Sequence, residues 1–293
     1  MGKVVVVGSI NVDMVFTSDI RPKAGETVMG NTFQLVPGGK GANQAVAAAK
    51  LGAETYMVGC VGNDSNGDFS IKNLQEANVK TEAIEVVENV PTGVANIVVA
   101  EKDNSIIVIA GANFEVSKEL IDKNIELIKS ADMVLLQLEI PMEVVEYTLE
   151  ICKNNNVKVM LNPAPGMVLS STIIENASYI TPNEHELKII FGPSSDASEV
   201  LKKYPNKLIV TLGSKGAMYY DGNQIKTVPT YDVEVVDTTG AGDTFCGGLA
   251  AALVRGDSLE DAIKFANKAA SMTVTKLGAQ GGMPTLEELM GRA

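Results

Sequence analysis

Short apolar segments alternate with segments of helical periodicity along most of this chain, and this alternation restricts the possible folds. The apolar runs cover 4–7, 56–61, 133–138 and 157–161. The segments between them have helical spacing, at 41–51, near 67–77, after Ser117 as a helix cap and after Pro141. Strands that are joined through helices lie parallel and are covered on both faces. The sequence therefore predicts an α/β fold with a mostly parallel central sheet flanked by helices, similar to a Rossmann fold.

Two segments interrupt this alternation. Residues 13–36 are rich in strand-forming residues without helical periodicity, and residues 95–110 have the pattern of two strands around a turn. A chain of 293 residues suits one large domain with a small insertion. We predict one domain over 1–293, with a small strand-rich insertion formed by 13–36 and 95–110.

The segment Asp237-Thr-Thr-Gly-Ala-Gly-Asp243-Thr-Phe is the strongest chemical signal. An apolar run at 233–236 predicts a strand that leads into this turn, and a helix follows. Gly240, Ala241 and Gly242 leave the backbone N–H groups accessible to an anion at the helix N-terminus. Asp243 is either a capping residue of that helix or a carboxylate that takes a proton from a hydroxyl attacking a bound phosphoryl group.

Composition and motifs exclude several other functions. The chain has no Gly-x-x-x-x-Gly-Lys-Ser/Thr loop, and the turn lacks the third glycine of a dinucleotide site. A net charge of −12 argues against nucleic acids and anionic membranes. His185 is the only histidine, so a histidine metal cluster or a Ser-His-Asp triad cannot form, and we expect it on an exposed helix surface.

Three scattered cysteines, at 60, 152 and 246, are expected to be buried thiols in a reducing compartment. The N-terminus enters an apolar run after three residues, which does not fit a signal peptide, and no apolar stretch is long enough to span a membrane. These features predict a cytoplasmic protein.

Several polar residues follow apolar strands, where open α/β sheets place their ligands. Asn11 and Asp13 can hold sugar hydroxyls or form an Asx turn. Lys40 and Asn43, after the glycine pair Gly38-Gly39, share one helix face and are either ligand contacts or part of a capped helix. Glu139 either accepts a hydroxyl hydrogen bond or supplies negative charge to the next helix.

Two further motifs leave two interpretations open. Asn183 and Glu186 lie one helical turn apart, and they can organise Mg²⁺ or form a capping box at the start of a helix. The segment from Thr211 to Gly216 follows the strand 208–210, and it is either a nucleotide-contacting turn or a simple hairpin turn into 217–220.

The order of these motifs resembles the ribokinase and phosphofructokinase-B family of carbohydrate kinases over nearly the whole chain. The resemblance rests on Gly8-Ser-Ile-Asn-Val-Asp13, Gly38-Gly-Lys-Gly-Ala-Asn43, Thr181-Pro-Asn-Glu184, 237–245 and Gly278-Ala-Gln280. It implies a ribokinase-like fold, in which 13–36 and 95–110 form a small β-sheet lid inserted in the core. It also implies ATP-dependent phosphorylation of a sugar. The similarity to members that phosphorylate D-ribose at the 5-hydroxyl is greatest in four segments: 38–47, Thr92-Gly-Val-Ala95, Leu138-Glu139 and Asn162-Pro-Ala-Pro165.

The resemblance also implies roles for individual residues. Asp243 would be the catalytic base, with the amides of Gly240, Ala241 and Gly242 beside the transferring phosphoryl group. The sugar would be held by Asn11, Asp13, Gly39, Lys40, Asn43, Glu139 and Asp243, with Ala95, Ile97 and Val108 as the apolar side of the lid. The ATP contacts would be Asn183, Glu186, Thr211, Gly213, Ser214, Gly216, Gly242 and Asn267. Relatives can carry histidine at the position of Asn267.

Metal ions and a partner chain are implied in the same way. Mg²⁺ would accompany ATP at Asn183 and Glu186, mostly through water. An activating K⁺ would be enclosed by Asp237, Thr239, Val274, Leu277, Ala279 and Gly282. The lid often pairs with that of a second subunit, which implies a homodimer.

The alternatives keep the chemistry and change the acceptor. Fructokinase, deoxyribokinase and adenosine kinase activities remain open, and so does a non-catalytic sugar- or nucleotide-binding regulator. A sugar-phosphate acceptor should require basic residues in the lid, which offers only Arg21, Lys23 and Lys102.

Overall fold

The computed structural model describes residues 2–101 and 103–291, so Lys102 lies outside the described residues. The strands within these ranges are β1 Lys3–Val7, β2 Asn11–Thr17, β3 Thr32–Gly38, β4 Glu54–Gly62, β5 Lys80–Val87, β6 Gly93–Ala100, β7 Asp103–Ile109, β8 Met133–Leu136, β9 Lys158–Leu161, β10 Tyr179–Ile180, β11 Ile209–Thr211, β12 Ala217–Tyr220 and β13 Ile225–Val228.

The α-helices of the described chain are α1 Lys40–Lys50, α2 Ser65–Glu76, α3 Lys118–Lys123, α4 Ile125–Lys129, α5 Met142–Asn154, α6 Ser171–Asn176, α7 Glu184–Phe191, α8 Ala197–Lys203, α9 Ala241–Arg255, α10 Leu259–Thr273 and α11 Leu286–Gly291. Short 3₁₀ turns occupy Gly111–Glu115 and Gly213–Lys215.

Six parallel strands form the central sheet in the order β10-β9-β8-β1-β4-β5. Alternate residues of β1 enter two different hydrophobic layers. Val4 and Val6 pack with α1, α9 and α10, whereas Val5 and Val7 pack with α3 and α5. Helices thus cover both faces of the sheet, which confirms the predicted fold class.

A second sheet of four strands lies apart from the central sheet, in the order β3-β2-β6-β7. We call these strands the outer sheet. They come from the two segments that break the helical alternation, and β2 pairs with β6 in parallel across about eighty residues of chain. The outer sheet confirms the small sheet of the prediction, whereas the single-domain organisation stays a prediction.

An antiparallel sheet of β11, β12 and β13 extends the edge of the central sheet. Isolated parallel bridges join Ile180 to Leu208 and Asn183 to Thr211. The loops that follow β10 and β11 are therefore neighbours.

Two sequence predictions of local structure are wrong. Residues 233–236 form no strand, and Val235 and Val236 are half exposed. The helix predicted after Ser117 starts as expected, with Ser117 Oγ accepting from Leu120 N at 3.3 Å, but it divides at Asn124 into α3 and α4. The Asn124 side chain donates to the Leu120 carbonyl oxygen at 2.9 Å, which ends the first helix locally.

The expected burial of the cysteines and the expected exposure of His185 are confirmed. Cys60, Cys152 and Cys246 are buried free thiols, and burial raises the pKa of each to about 12. His185 is exposed on α7. No helix in the described ranges is both long and apolar enough to cross a membrane.

Candidate active site

Asp243 is buried in the first turn of α9, opposite the first turn of α1. The cap position of α9 belongs to Gly240, which has a left-handed φ of 78° and no side-chain cap. The Asp243 carboxylate accepts from Asn43 Nδ2 at 2.9 Å and from Gln44 Nε2 at 3.1 Å. The capping alternative for Asp243 is therefore wrong, because both of its oxygens face side chains of α1.

Burial raises the pKa of Asp243, while Lys40 and the two amide donors act in the opposite direction. Gln44 was missed in the sequence analysis. It is fully buried among the alanines of α1, and a second amide directly after Asn43 in such an apolar helix was the available signal.

The N-terminus of α1 holds a second carboxylate. Glu139 Oε2 accepts from Lys40 N at 3.0 Å and from Ser9 Oγ at 2.5 Å. Glu139 thus supplies charge to α1 rather than to α5, the helix that follows it in sequence. Burial alone would lower the pKa of the Lys40 ammonium, but Asp243 and Glu139 raise it overall, so Lys40 is a cation between two carboxylates.

Asn11 and Asp13 extend the polar surface onto β2, so neither forms an Asx turn. Asn11 Oδ1 accepts from Asn113 Nδ2 at 2.6 Å, and Asn113 Oδ1 accepts from Ile10 N at 2.8 Å. Asn113 was also missed, because its position in a 3₁₀ turn carries no periodic signal. Burial, followed by repulsion from Glu139 and Asp243, raises the pKa of Asp13 to about 6.

Gly39 links the outer sheet to α1 in a conformation that excludes other residues. Its φ is 88°, and a β-carbon there would lie 2.7 Å from Asn11 N. Pairing in the outer sheet puts Ala95 and Val108 on the same face as Asp13, and Ile97 follows on that face beside Val15. The predicted apolar lid residues therefore face the same side as the Asp13 carboxylate.

The three residues whose amides are predicted to face an anion have different surroundings. Around Gly242, no atom other than the adjacent backbone of α9 lies within 4 Å of the position that a β-carbon would take. Ala241 N, in contrast, donates to the Thr238 carbonyl oxygen at 3.3 Å. Gly240 packs against Ala279, where a β-carbon would lie 2.7 Å from the Ala279 α-carbon.

Asn183 and Glu186 form a complete capping box at the start of α7. Glu186 N donates to Asn183 Oδ1, and Asn183 N donates to Glu186 Oε2, both at 2.8 Å. Burial raises the pKa of Glu186. The box uses one oxygen of each side chain and leaves Glu186 Oε1 out, so the structural alternative is observed and a role in Mg²⁺ binding stays a prediction.

Four of the predicted ATP contacts lie in or beside the β11–β12 hairpin, namely Thr211, Gly213, Ser214 and Gly216. Leu212 N donates to the Gly216 carbonyl oxygen at 2.8 Å, and Gly213 has a left-handed φ of 56°. Thr211 N donates to the Pro182 carbonyl oxygen at 2.9 Å, which places the hairpin beside the capping box. Ser214 lies in the exposed 3₁₀ turn.

Asn267 is buried, and its side chain contacts backbone. Its Nδ2 donates to the carbonyl oxygens of Val228 and Pro229 at 2.9 and 3.2 Å. The amide nitrogen therefore holds the chain after β13, and contact with the adenine stays a prediction.

Asp237 ties the turn before α9 to the loop at 274–282. Its Oδ1 accepts from Thr239 N at 2.9 Å, and its Oδ2 accepts from Gly278 N at 2.9 Å. Burial acts to raise its pKa, but these hydrogen bonds lower it overall. The Val274 carbonyl oxygen already accepts from the backbone N–H groups of Val236 and Asp237.

The other predicted cation ligands flank this contact. Leu277 is exposed, Ala279 is buried against Gly240, and Gly282 packs closely on the Thr273 carbonyl oxygen. No group of three or more His, Cys, Asp or Glu side chains suited to a metal occurs among residues 2–101 and 103–291.

Comparison with known proteins defines the class to which this site belongs. The model of the pfkB family of carbohydrate kinases matches residues 1–286, and the chain therefore belongs to this family. The family resemblance expected from the motifs is thus confirmed.

Individual relatives narrow the comparison further. The chain is 49% identical over 289 residues to the ribokinase of Bacillus subtilis, covering 99% of this chain and 98% of that protein. It is 46% identical to the ribokinase of Lactococcus lactis, covering 100% and 97%. The structure is similar to that of Arabidopsis thaliana ribokinase complexed with ribose and ATP, with a TM-score of 0.91, 33% identity and coverage of 99% and 98%.

Proposed function

We propose that this carbohydrate kinase transfers the γ-phosphoryl group of ATP to the 5-hydroxyl of D-ribose, giving ADP and D-ribose 5-phosphate. The observation that carries the proposal is the buried Asp243 carboxylate at the start of α9. Asn43 on α1 donates a hydrogen bond to it, and the Lys40 ammonium interacts with it electrostatically. The full-length similarity to ribokinases, including a structure with ribose and ATP, supports the choice of sugar and nucleotide.

The polar residues around Asp243 suit a small polyhydroxylated acceptor. One cluster supplies amide, carboxylate and ammonium groups, from Asn11, Asp13, Asn43, Lys40 and Glu139. Each hydroxyl of the correct sugar replaces a hydrogen bond to water, whereas a mismatched sugar leaves a buried partner unpaired, at a cost of about 1–3 kcal/mol each.

Positioning and charge neutralisation carry the reaction in this proposal. The transition state of phosphoryl transfer is loose, so little activation of the hydroxyl is needed. Asp243 orients the 5-hydroxyl and collects its proton late in the step. The backbone N–H groups of Gly240 and Gly242 and the Lys40 ammonium stabilise charge on the transferring group. Ala241 N contributes less in this arrangement, because it donates to the Thr238 carbonyl oxygen.

A coupled ATPase assay with a panel of acceptors tests the proposal. We expect D-ribose to have the highest kcat/KM among D-ribose, 2-deoxyribose, fructose, fructose 6-phosphate and adenosine. Comparable efficiency on adenosine or deoxyribose would limit the assignment to the family. Binding of sugar without turnover on any acceptor would favour the non-catalytic regulator.

ATP is proposed to lie across the β11–β12 hairpin and the start of α7, with Mg²⁺ near Asn183 and Glu186. The free Glu186 Oε1 and the adjacent Thr211 support this position. When bound, Mg²⁺ would neutralise phosphate charge. Glu186→Gln should raise the Mg²⁺ concentration for half-maximal rate, whereas a lower Tm with an unchanged Mg²⁺ profile would assign Glu186 to the capping box alone.

Potassium is proposed as an activating ion between the turn at 237–240 and the loop at 274–282. The ionised Asp237 carboxylate and the surrounding carbonyl groups fit a large, weakly hydrated cation. Because Val274 O already accepts two hydrogen bonds, it is the weakest of the proposed ligands.

The outer sheet is proposed to pair with that of a second chain. On the face opposite Asp13, Phe16, Phe33, Leu35, Ile107 and Ile109 are exposed. The rings of Phe16 and Phe33 lie 4.9 Å apart between their centres. An exposed apolar face with free strand edges fits a symmetric homodimer.

A cytoplasmic location is also proposed. Three buried thiols without a disulfide suit a reducing compartment, and ATP is available there. Fractionation of cells that express the full chain with a C-terminal tag would test this, and recovery outside the cytoplasm would contradict it.

A further inference from the structure

Three buried carboxamide side chains lie directly behind Asp243. Gln44 Nε2 donates both to Asp243 Oδ1 and to Asn162 Oδ1 at 3.1 Å, and Gln44 Oε1 accepts from Gln137 Nε2 at 2.7 Å. Gln44 and Gln137 are fully buried, and Asn162 is 8% exposed. We call Asn162, Gln44 and Gln137 the amide chain.

The direction of every amide in this chain follows from one backbone carbonyl. The Thr181 carbonyl oxygen can only accept, so Asn162 Nδ2 faces it at 3.1 Å and Asn162 Oδ1 faces Gln44. Asn162 Oδ1 and the Asp243 carboxylate also accept only, so the Gln44 nitrogen must face both. The Gln44 oxygen then faces Gln137, whose nitrogen donates to it. Gln44 therefore cannot turn its oxygen toward Asp243 without losing three hydrogen bonds.

The far end of the amide chain is not optimised for stability. Gln137 Oε1 is buried without a hydrogen-bond partner among the described residues. It lies only 2.0 Å from where a β-carbon would be at Gly8, so that glycine makes room for it. An unsatisfied buried carbonyl destabilises a fold. The chain's favourable contribution therefore lies at its other end, at Asp243.

We propose that Gln44 is a positioning residue for phosphoryl transfer, which holds the Asp243 carboxylate ionised and turned toward the acceptor hydroxyl, and that Gln137 fixes the direction of Gln44. The inference rests on the proposed function, in which Asp243 collects the hydroxyl proton. It adds a requirement on the acceptor side of that site: one Asp243 oxygen is held by Asn43 and the other by Gln44.

The charged and titratable groups that face Asp243 come from several elements. Lys40 on α1 favours the ionised form, whereas Glu139 after β8 opposes it. Asp13 on β2, Glu186 on α7 and Cys246 on α9 also interact with Asp243. With one cation among these groups, loss of an amide donor should favour protonation of Asp243, because hydrogen bonds to a carboxylate stabilise its charge.

Replacement of Gln44 and Gln137 in the full-length chain tests the proposal through the pH dependence of kcat. Gln44→Met keeps the length of the side chain and removes the donor. We expect kcat at pH 7.5 to fall about 10- to 100-fold, with KM for sugar and ATP within about threefold, and the acidic limb of kcat to move up by about one pH unit. Gln44→Glu should move it further, because two adjacent carboxylates share a proton.

Gln137→Met leaves the contact between Gln44 and Asp243 in place but removes the group that orients Gln44. We expect a smaller shift of the acidic limb in the same direction, which keeps the proposal testable if the Gln44 variants fold poorly. Gln75→Met, on the exposed face of α2, is the matched control and should change neither kcat nor the limb.

The outcomes separate positioning from a purely structural role. A lower Tm with an unchanged acidic limb in Gln44→Met and Gln137→Met would overturn the proposal. The wild-type rate on D-ribose tests the proposed function by itself. If D-ribose is not the acceptor, the same pH profiles with the sugar that the panel identifies still test the amide chain.

Discussion

Polar side chains are buried in one region of the molecule, and apolar side chains are exposed in another. The first region is the floor of the candidate site, which we define as Asp243 with the first turns of α1 and α9 and the loop before α9; the second is the outer sheet. In the floor, Asp243, Asn43 and Gln44 are buried, and both amides donate hydrogen bonds to the Asp243 carboxylate. In the outer sheet, Ile107 and Phe33 are 68% and 54% exposed. The polar groups of the floor thus have partners in α1 and α9. The exposed apolar face of the outer sheet, in contrast, is the basis of its proposed pairing with a second chain.

Replacement of Asp243 should have the largest effect, and it acts only on the floor. Asp243→Asn keeps the shape of the side chain but cannot take a proton, so we expect kcat to fall by at least about 100-fold. Binding of ATP and ribose, measured by titration calorimetry, should stay within a few-fold. Retention of more than roughly a tenth of wild-type kcat would show that base catalysis does not occur at this position.

Charge on the exposed face should break the outer sheet's proposed contact without altering the floor. Ile107→Glu puts a carboxylate into an apolar interface, and we expect a monomeric mass by light scattering at micromolar concentration. Val168→Glu is the control, because Val168 is 77% exposed and lies outside the outer sheet. A wild-type protein that is already monomeric would contradict the dimer.

The comparison of sequence with structure follows the same division. The alternation of strands and helices, the cap at Ser117 and the box at Asn183 were predictable, because local backbone chemistry determines them. The run at 233–236 was not, because its valines have strand propensity but no neighbouring strand to pair with. Propensity alone cannot supply that partner.

Within the site, the residues at strand ends were predictable and their supports were not. Asn11, Asp13 and Glu139 follow or begin strands near the sheet edge, so their positions could be inferred. The supporting amides act through tertiary packing between segments distant in sequence: Gln44 contacts Asp243, Gln137 contacts Gln44, and Asn113 contacts Asn11. No spacing along the chain reports such contacts.

Potassium should sharpen the difference between the two regions, since it acts on the floor alone. We expect kcat to rise several-fold in potassium over lithium or choline salts at matched ionic strength, because a bound ion would fix the amides before α9. Asp237→Ala should abolish the effect, whereas Asp232→Ala, in an exposed loop, should retain it. Equal wild-type rates in all three salts would eliminate the site.

The smallest effect should come from Asp13, which lies where the outer sheet meets the floor. Its pKa of about 6 in the folded chain exceeds the ordinary value of 3.8, so protonation favours folding. That stabilisation is complete below about pH 4 and is lost as the pH rises through about 6. Between about pH 4 and pH 6, the ligand-free wild type should therefore lose about 1–2 kcal/mol of unfolding free energy relative to Asp13→Asn. This loss is smaller than the full shift of the pKa would give, because Asp13 is partly exposed to solvent.

Urea denaturation at several pH values between 4 and 7.5 measures this difference. Asp232→Asn serves as the control, because its side chain lies in an exposed loop. A constant difference between wild type and Asp13→Asn across the range would show that Asp13 does not titrate near pH 6.

The parallel pairing of β2 with β6 also has a consequence for the order of folding. Asn11 pairs with Gly93, and the intervening chain contains α1, β4, α2 and β5, all of which belong to the core. Closing so long a loop is slow until those elements have formed. We therefore expect the outer sheet to assemble after the core, so that a folding chain exposes the apolar strands of this sheet until the core has formed. Refolding yield should consequently fall as protein concentration rises, with aggregates that begin at these strands.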